Sequence, residues 1–433
     1  MTAVAAYFPG HGDRRFSVQH YDLDLICTLK SNRITGRATL TATAAEALTS
    51  LELDLGQFAI TRVLVDGRKP TGFRHRSGRL RIDLDSTLEP GTEFTLVVSY
   101  RGVPRPIRGV LGDAGWEELT DGVIVAAQPY GAPSWFPCND RPDDKASYSF
   151  TLTAPAGYRV IANGTLTGTR RGASGVTWSY EQPEPMASYL ATVNIGRYAV
   201  HVLEAQVPLS VAVPADQHIE LPESFRRQPE MLDVFTRLFG PYPFASYCVV
   251  VTADELEIPL ESQGLSVFGI NYLGDDWGCE RLVAHELSHQ WFGNAVTASD
   301  WADIWLHEGF ACYAEWLWSE HSGRRSADEH ARSHWSRLAA EPRELLLSDP
   351  GAADMFDDWV YKRGALLLHA LRLTVGDSLF WLALQTWIER FRYGAATSAD
   401  FRSVAEEVGG RDLEQLFTAW LAMPALPQLP STP

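Results

Sequence analysis

Apolar and polar residues alternate along HYDLDLICTL (20–29), ITGRATLTATA (34–44), LTSLELDLG (48–56), ITRVLVDG (60–67), LRIDLD (80–85) and FTLVVSYRG (94–102), with Gly, Asn, Asp and Pro in the gaps. A period of two marks strands with one buried face, so the chain from Val18 to about Tyr198 reads as an antiparallel β domain. After HVLEAQVPLSVAVPA (201–215) the period changes to that of a helix in ESFRRQPEMLDVFTRLFG (223–240). The predicted organisation is a β domain over 1–205 and a mainly helical domain over 206–423.

Within the second part, GPYPFASYCVVVTADEL (240–256) reads as a turn and a strand, and residues 281–292 and 303–320 as two helices joined by the turn-rich stretch from Asn294 to Asp300. RSADEHARSHWSRLAAEPREL (325–345) follows as a polar helix and WVYKRGALLLHALRLTVG (359–376) as a buried one. Helices over 378–394, 398–410 and 412–423 close the domain, with Ser398 and Asp412 read as N-caps of the last two. PALPQLPSTP (424–433) is a proline-rich tail without a core pattern.

The candidate chemistry is concentrated in RLVAHELSHQWFGNAVTASDWADIWLHEGFACYAEWLWSE (281–320). His285 and His289 stand at i and i+4, which on a helix is one face, so both imidazoles can reach one metal ion. A catalytic zinc takes three protein ligands and keeps a position open. Glu308, which follows His289 after the eighteen residues 290–307 and stands on the second helix, becomes the third ligand if the two helices fold back antiparallel. Glu286 is rotated by roughly 100° from His285 and flanks the metal, where a carboxylate serves as general base and then acid in amide hydrolysis. Glu315 shares the face of Glu308 two turns on, and reads either as a group that orients a zinc histidine or as a surface carboxylate.

VAHELSHQWFGN followed by WADIWLHEGFACYAEW resembles the gluzincin metallo-aminopeptidases, whose pattern is H-E-x-x-H, eighteen residues, then E. His307 stands where the family has Asn, and Cys312 where it has a small hydroxyl residue. The resemblance extends to HYDL (20–23), TGRATL (35–40), SYRG (99–102), PMASYLATVNIGRY (185–198) and FGPYP (239–243). It implies an α+β multidomain fold, with an N-terminal antiparallel, saddle-like β domain followed by a thermolysin-like catalytic domain. It implies one Zn(2+) per chain and a zinc aminopeptidase acting on peptides with a free N-terminus. By the same resemblance Tyr361 in YKRG donates to the oxyanion, with Arg363 in place of the family's Lys. Glu261 matches the glutamate that binds the substrate's α-ammonium, although its surroundings, Ile258-Pro259-Leu260-Glu261-Ser262, keep little else of the family's G-A-M-E-N. Gln128, ten residues before Cys138 in QPYGAPSWFPCNDRPDDKA (128–146), matches a second ligand of that amine. A zinc endopeptidase or other hydrolase with a more open site, and a catalytically silent scaffold, remain alternatives. The chain leaves no room for the long helical C-terminal domain of many relatives, and no basic residue for a substrate carboxylate is assigned.

Composition narrows the partners. With 45% apolar and 21% charged residues the chain is ordinary globular material, and its net charge of −17 argues against nucleic acid or an anionic membrane as the main partner. There is no basic, then apolar, leader and no apolar run of about 20 residues. Five scattered cysteines without C-x-x-C spacing read as free thiols. These features predict a cytoplasmic protein; oligomeric state is not legible.

Overall fold

The computed structural model describes residues 7–217 and 219–430, so residues 1–6, His218 and the end of the tail at 431–433 lie outside the described residues. The N-terminal region is built on a seven-stranded sheet in the order Thr165–Gly172, Gly175–Met186, Ala146–Ala154, Phe16–Thr28, Arg33–Ala44, Glu93–Gly102, Ala59–Val65. Alternation sets its buried face: Phe16, Val18, Tyr21, Leu23, Leu25 and Cys27 point inward, and a register shift between Val18 and His20 accounts for the one step of three. One pairing departs from the antiparallel expectation, because Phe16–Thr28 runs parallel to Ala146–Ala154. Parallel neighbours need a long connection, and here more than a hundred residues intervene, so no local signal announces the pairing.

Two smaller sheets complete this region, one of Leu48–Asp54, Arg79–Leu88 and Gly72–Arg76, the other of Arg159–Ala162, Val193–Gly196, Gly122–Ala126, Gly112–Leu119 and Ile107–Gly109. A fourth set of strands, Tyr198–Leu203, Leu209–Pro214, Tyr247–Thr252, Leu265–Gly269 and Leu260–Ser262, forms the sheet that leads into the helices. Its first hairpin spans the division drawn at 205/206: Tyr198–Leu203 pairs with Leu209–Pro214 and so belongs with the sheet that follows.

The helices are α1 (Glu223–Arg226), α2 (Gln228–Phe239), α3 (Trp277–Ser288), α4 (Trp305–His321), α5 (Ala327–Ala340), α6 (Asp358–Val375), α7 (Asp377–Phe391), α8 (Ser398–Gly409) and α9 (Glu414–Leu421). The helix α4 is the axis of this part: fifteen of its seventeen residues are buried, so it lies inside the bundle rather than on its surface. It crosses α6 where two glycines meet. A Cβ on Gly309 would lie 2.8 Å from the Gly364 Cα, so only a pair of glycines allows this approach, and it holds the start of α6 against the middle of α4.

Capping differs from the sequence reading at both of the last two helices. Thr397, not Ser398, caps α8, its hydroxyl accepting from Asp400 N–H in a capping box; Ser398 is the first helical residue, and its hydroxyl donates to Asp303. Asp412 is likewise not the N-cap of α9, which is Leu413; it stands one residue earlier, where its Oδ1 accepts from Glu414 N–H. The described part of the tail is anchored, not free: the buried Arg363 guanidinium donates to the carbonyls of Trp420, Pro424, Ala419 and Ala425, and Trp335 Nε1 donates to Pro427 O. Arg363 thus collects carbonyls left over at the end of α9, a use that its place in YKRG does not reveal.

Candidate active site

Asp276 starts α3 by accepting from Cys279 N–H, and the helix then carries His285 and Glu286 into the interior. His289 is the C-cap residue rather than an interior one, but its N–H still donates to His285 O at 3.2 Å, so the two rings remain on one face. The chain returns antiparallel along α4. Contacts run in opposite directions along the two helices: His285 meets Glu308, and one turn earlier Arg281 meets Glu315. The Nε2 atoms of His285 and His289 lie 3.4 and 3.6 Å from Glu308 Oε2. A tetrahedral zinc bound at roughly 2.0–2.1 Å has donor-to-donor edges of roughly 3.3 Å, so these three donors fit that ion.

The outer nitrogens support the same fit. His285 Nδ1 donates to Glu315 Oε1 at 2.8 Å and His289 Nδ1 to Phe292 O at 3.0 Å. Each bond fixes the proton on Nδ1 and leaves the Nε2 lone pair facing Glu308. Of the two readings of Glu315, the structure therefore has the one in which it orients a histidine. Burial alone would raise the Glu315 pKa, yet Lys362, His285 and Arg281 hold it down at about 2. Burial also opposes ionisation of Glu308, but His289 and His285 outweigh it and its pKa is lowered.

Glu286 is buried with Oε2 lacking any hydrogen-bond partner. Burial, with Glu308 and Glu315 nearby, pushes its pKa up to about 8 against the opposing pull of His285. Glu261 comes to the same place from the edge strand Leu260–Ser262: ligand atoms of Glu261, Glu286 and His289 lie within 4.8 Å of one another. Burial and then Glu308 and Glu286 push the Glu261 pKa well up, so this carboxylate lacks a cation. Tyr361 stands in the first turn of α6, its ring stacked on His285 at 6.0 Å between centroids and 16° between planes. Burial, reinforced by Glu308, Glu261 and Glu286, keeps its phenol protonated. Gln128 is half-buried with its Nε2 unpartnered, and it lines the same cavity of about 980 Å³. All seven residues singled out in the sequence line this cavity.

Sequence reasoning missed the residues that hold these groups in place. Gln290 donates to Ser262 O and accepts from Gly264 N–H, and Asn294 donates to the same Ser262 O at 3.0 Å, which ties the Glu261 strand to the chain just beyond His289. The available signal was two amides inside the apolar frame of QWFGN. His307 accepts from Ala298 N–H at 2.7 Å and so braces the return loop. Cys312 is buried and accepts from Lys362 Nζ at 3.2 Å.

Lys145 is the longest of these links. Its buried ammonium donates to Asn294 O, Ala295 O and Thr297 Oγ1 at 2.8, 3.2 and 3.0 Å, with Gly394 O at 3.3 Å. The proline-rich loop after Gln128 is thereby fastened to the loop after His289. Lys145→Met keeps the length of the side chain and leaves Asn294 O without a partner, while Ala295 O and Gly394 O keep their backbone donors Tyr393 and Thr297, so a loss of about 1–3 kcal/mol of unfolding free energy is expected in urea titration.

Comparison with known proteins bears on the family and the fold. A model described as the peptidase family M1 domain matches residues 224–420, and one described as the peptidase M1 N-terminal domain matches residues 17–190. The chain is 23% identical to glutamyl aminopeptidase of Bos taurus over 95% of its own length and 47% of that protein, and 28% identical to aminopeptidase N of Streptomyces lividans over 65% of its own length and 36% of that protein. It spans about half the length, or less, of the curated relatives it matches. Among solved structures, it is similar to the M1 zinc metallopeptidase of Deinococcus radiodurans, at 31% identity with a TM-score of 0.89. A mutant of that protein bound to a Tyr-Ser-Ala substrate gives 30% identity and a TM-score of 0.90. In both cases the match covers 98% of each chain.

Proposed function

Because the chain belongs to the peptidase M1 family, we propose that it is a zinc aminopeptidase that removes N-terminal residues from peptides. The observation that carries this reading is the convergence of Glu261 on Glu286 and His289 within 4.8 Å. A carboxylate so placed, half-buried and without a cation, selects a positively charged group one residue-length from the catalytic centre, and the α-ammonium of a peptide is such a group.

His285, His289 and Glu308 would hold a zinc ion, which when bound would supply Lewis acidity to water and to the scissile carbonyl. Glu286 accepts a proton from the attacking water on its free Oε2 and returns it to the leaving nitrogen. The Tyr361 hydroxyl donates to the carbonyl oxygen as it gains charge. Glu261 and the Gln128 amide bind the α-ammonium. The outer edge of Leu260–Ser262, the last strand of its sheet, offers backbone groups to an extended peptide. Five unpaired cysteines support a reducing, cytoplasmic setting, and no described helix is long and apolar enough to cross a membrane.

The test is a panel of aminoacyl arylamides, each with a free and with an acetylated amine. Acetylation removes the cation opposite Glu261 and leaves a buried carboxylate unpaired, so free-amine substrates are expected to be cleaved at least about 100-fold better. Equal cleavage of both sets would replace the aminopeptidase by an endopeptidase or another hydrolase. Stoichiometric zinc with no turnover of either would favour a binding scaffold.

A further inference from the structure

The cavity is polarised. At the end formed by the β domain and the Glu261 strand, its charged lining is Asp113, Glu117, Glu255, Glu257 and Glu261, with no Lys or Arg. At the end formed by α3, α4, α5 and α6 cations join the lining: Arg281, Arg325, Arg337 and Lys362 stand with Glu315 and Asp358, beyond Glu286 and Glu308 at the centre. Four cations on one wall run against the net charge of −17; Glu261 stands beside Glu286 and His289, whereas Arg281 meets Glu315, which bonds to His285.

Two of the four cations are consumed locally. Arg337 pairs with Asp358, and Lys362 bonds to Cys312 Sγ and sits 3.7 Å from Asp358. The other two are incompletely paired. Arg281, with its side chain 36% exposed, has only Glu315 Oε2 at 3.2 Å, on a carboxylate whose other oxygen accepts from His285. Arg325 meets no carboxylate within 4 Å among the described residues, and its guanidinium donates to Glu329 O. The same lining carries a stack of rings: Trp277 at the start of α3 stacks on His330 of α5, and His330 and His334 both lie parallel to the buried Trp316. Burial, with Lys362, Arg337 and His330 nearby, pulls the His334 pKa down to about 4. His330 is likewise lowered by burial and by Arg325. These rings are therefore neutral wall at neutral pH, and the positive charge that remains belongs to the guanidinium groups.

Resting on the aminopeptidase reading above, we propose that Arg281 and Arg325 receive the C-terminal carboxylate of a short peptide whose amine is at Glu261, so that the cleft selects peptides of about three or four residues. Arg281 lies one turn before His285, about 6 Å along the helix, and extended chain covers about 3.3–3.6 Å per residue. A carboxylate two or three residues past the scissile bond is therefore within reach of it. Guanidinium groups suit this task because their paired N–H donors match a carboxylate, and a guanidinium already sharing one carboxylate oxygen retains free donors.

The experiment compares trialanine with its C-terminal amide. In the wild-type protein kcat/KM for the acid is expected to exceed that for the amide by about 10-fold or more, mainly through KM. In the double variant Arg281→Gln/Arg325→Gln the ratio is expected to fall to about one, and Arg281→Lys alone should keep most of it. A purely structural role, exerted through Glu315 and His285, would lower both substrates together and leave the ratio untouched. A wild-type ratio near one, or a ratio that survives in the double variant, overturns the proposal. Calorimetric binding of the same two peptides to Glu286→Gln protein reads the carboxylate without turnover: tighter binding of the acid by about 10-fold supports the proposal, and equal or absent binding overturns it. Failure of the aminopeptidase reading shows separately, as arylamides that are not cleaved.

Discussion

Replacing Glu286 by Gln is expected to lower kcat on a free-amine arylamide by about 10³- to 10⁴-fold, with KM changed little and zinc content by elemental analysis unchanged. The separation follows from where the carboxylate stands. Glu286 is adjacent to His285 in sequence, but the three donors that converge at 3.4 and 3.6 Å are those of His285, His289 and Glu308. Its Oε2 has no partner, so the amide removes a proton acceptor without breaking a bond that shapes the site. Burial and two neighbouring carboxylates already push the Glu286 pKa up to about 8, which places this base near neutral operating pH, where a general base is most effective. The substitution also removes a like charge from a buried group that contains Glu308, Glu315 and Glu261, so the metal-free variant is expected to melt above the metal-free wild type. A variant that lost zinc in proportion to activity would make Glu286 a ligand or a structural group instead of the base.

How much of this was legible in the sequence depends on the distance over which each relation acts. His285, Glu286 and His289 follow from helical spacing alone, and Glu308 from the return of one adjacent helix, because local periodicity decides which side chains share a face. Gln128, Glu261 and Tyr361 have no such local signature. They were singled out through resemblance, and they enter the cavity from a strand-end loop, an edge strand and the start of α6. What escaped was set by partners far along the chain: Gln290 and Asn294 on Ser262 O, Lys145 on the loop near 295, and the parallel register of His20 with Ser147. Most of those bonds end on backbone carbonyls, which every residue possesses, so composition and pattern cannot mark the acceptor. Arg281 shows the same limit at a charge: its relation to Glu315 is invisible until α3 and α4 are laid antiparallel.

Tyr361→Phe is expected to lower kcat by about 10²- to 10³-fold, equivalent to about 3–4 kcal/mol in the transition state, with KM within about threefold of wild type. The ring is placed by three features that the substitution leaves intact. Asp357 caps α6 through Trp359 N–H, the Gly309–Gly364 crossing fixes the helix against α4, and the ring stacks on His285. Phe preserves that packing, so the melting temperature should hardly move. Only the hydroxyl is lost, and a hydroxyl whose pKa burial and the carboxylates of Glu308, Glu261 and Glu286 push well up is a donor at every working pH. A donor of this kind is worth little to a neutral carbonyl and much to one gaining negative charge, because the surrounding carboxylates offer that charge no other relief. The loss should therefore fall on kcat rather than on binding, and should be smaller than that of Glu286→Gln, since the proton still moves. A fall in KM affinity with kcat preserved would mean instead that the hydroxyl binds the ground-state carbonyl, and that the developing charge is met by another donor.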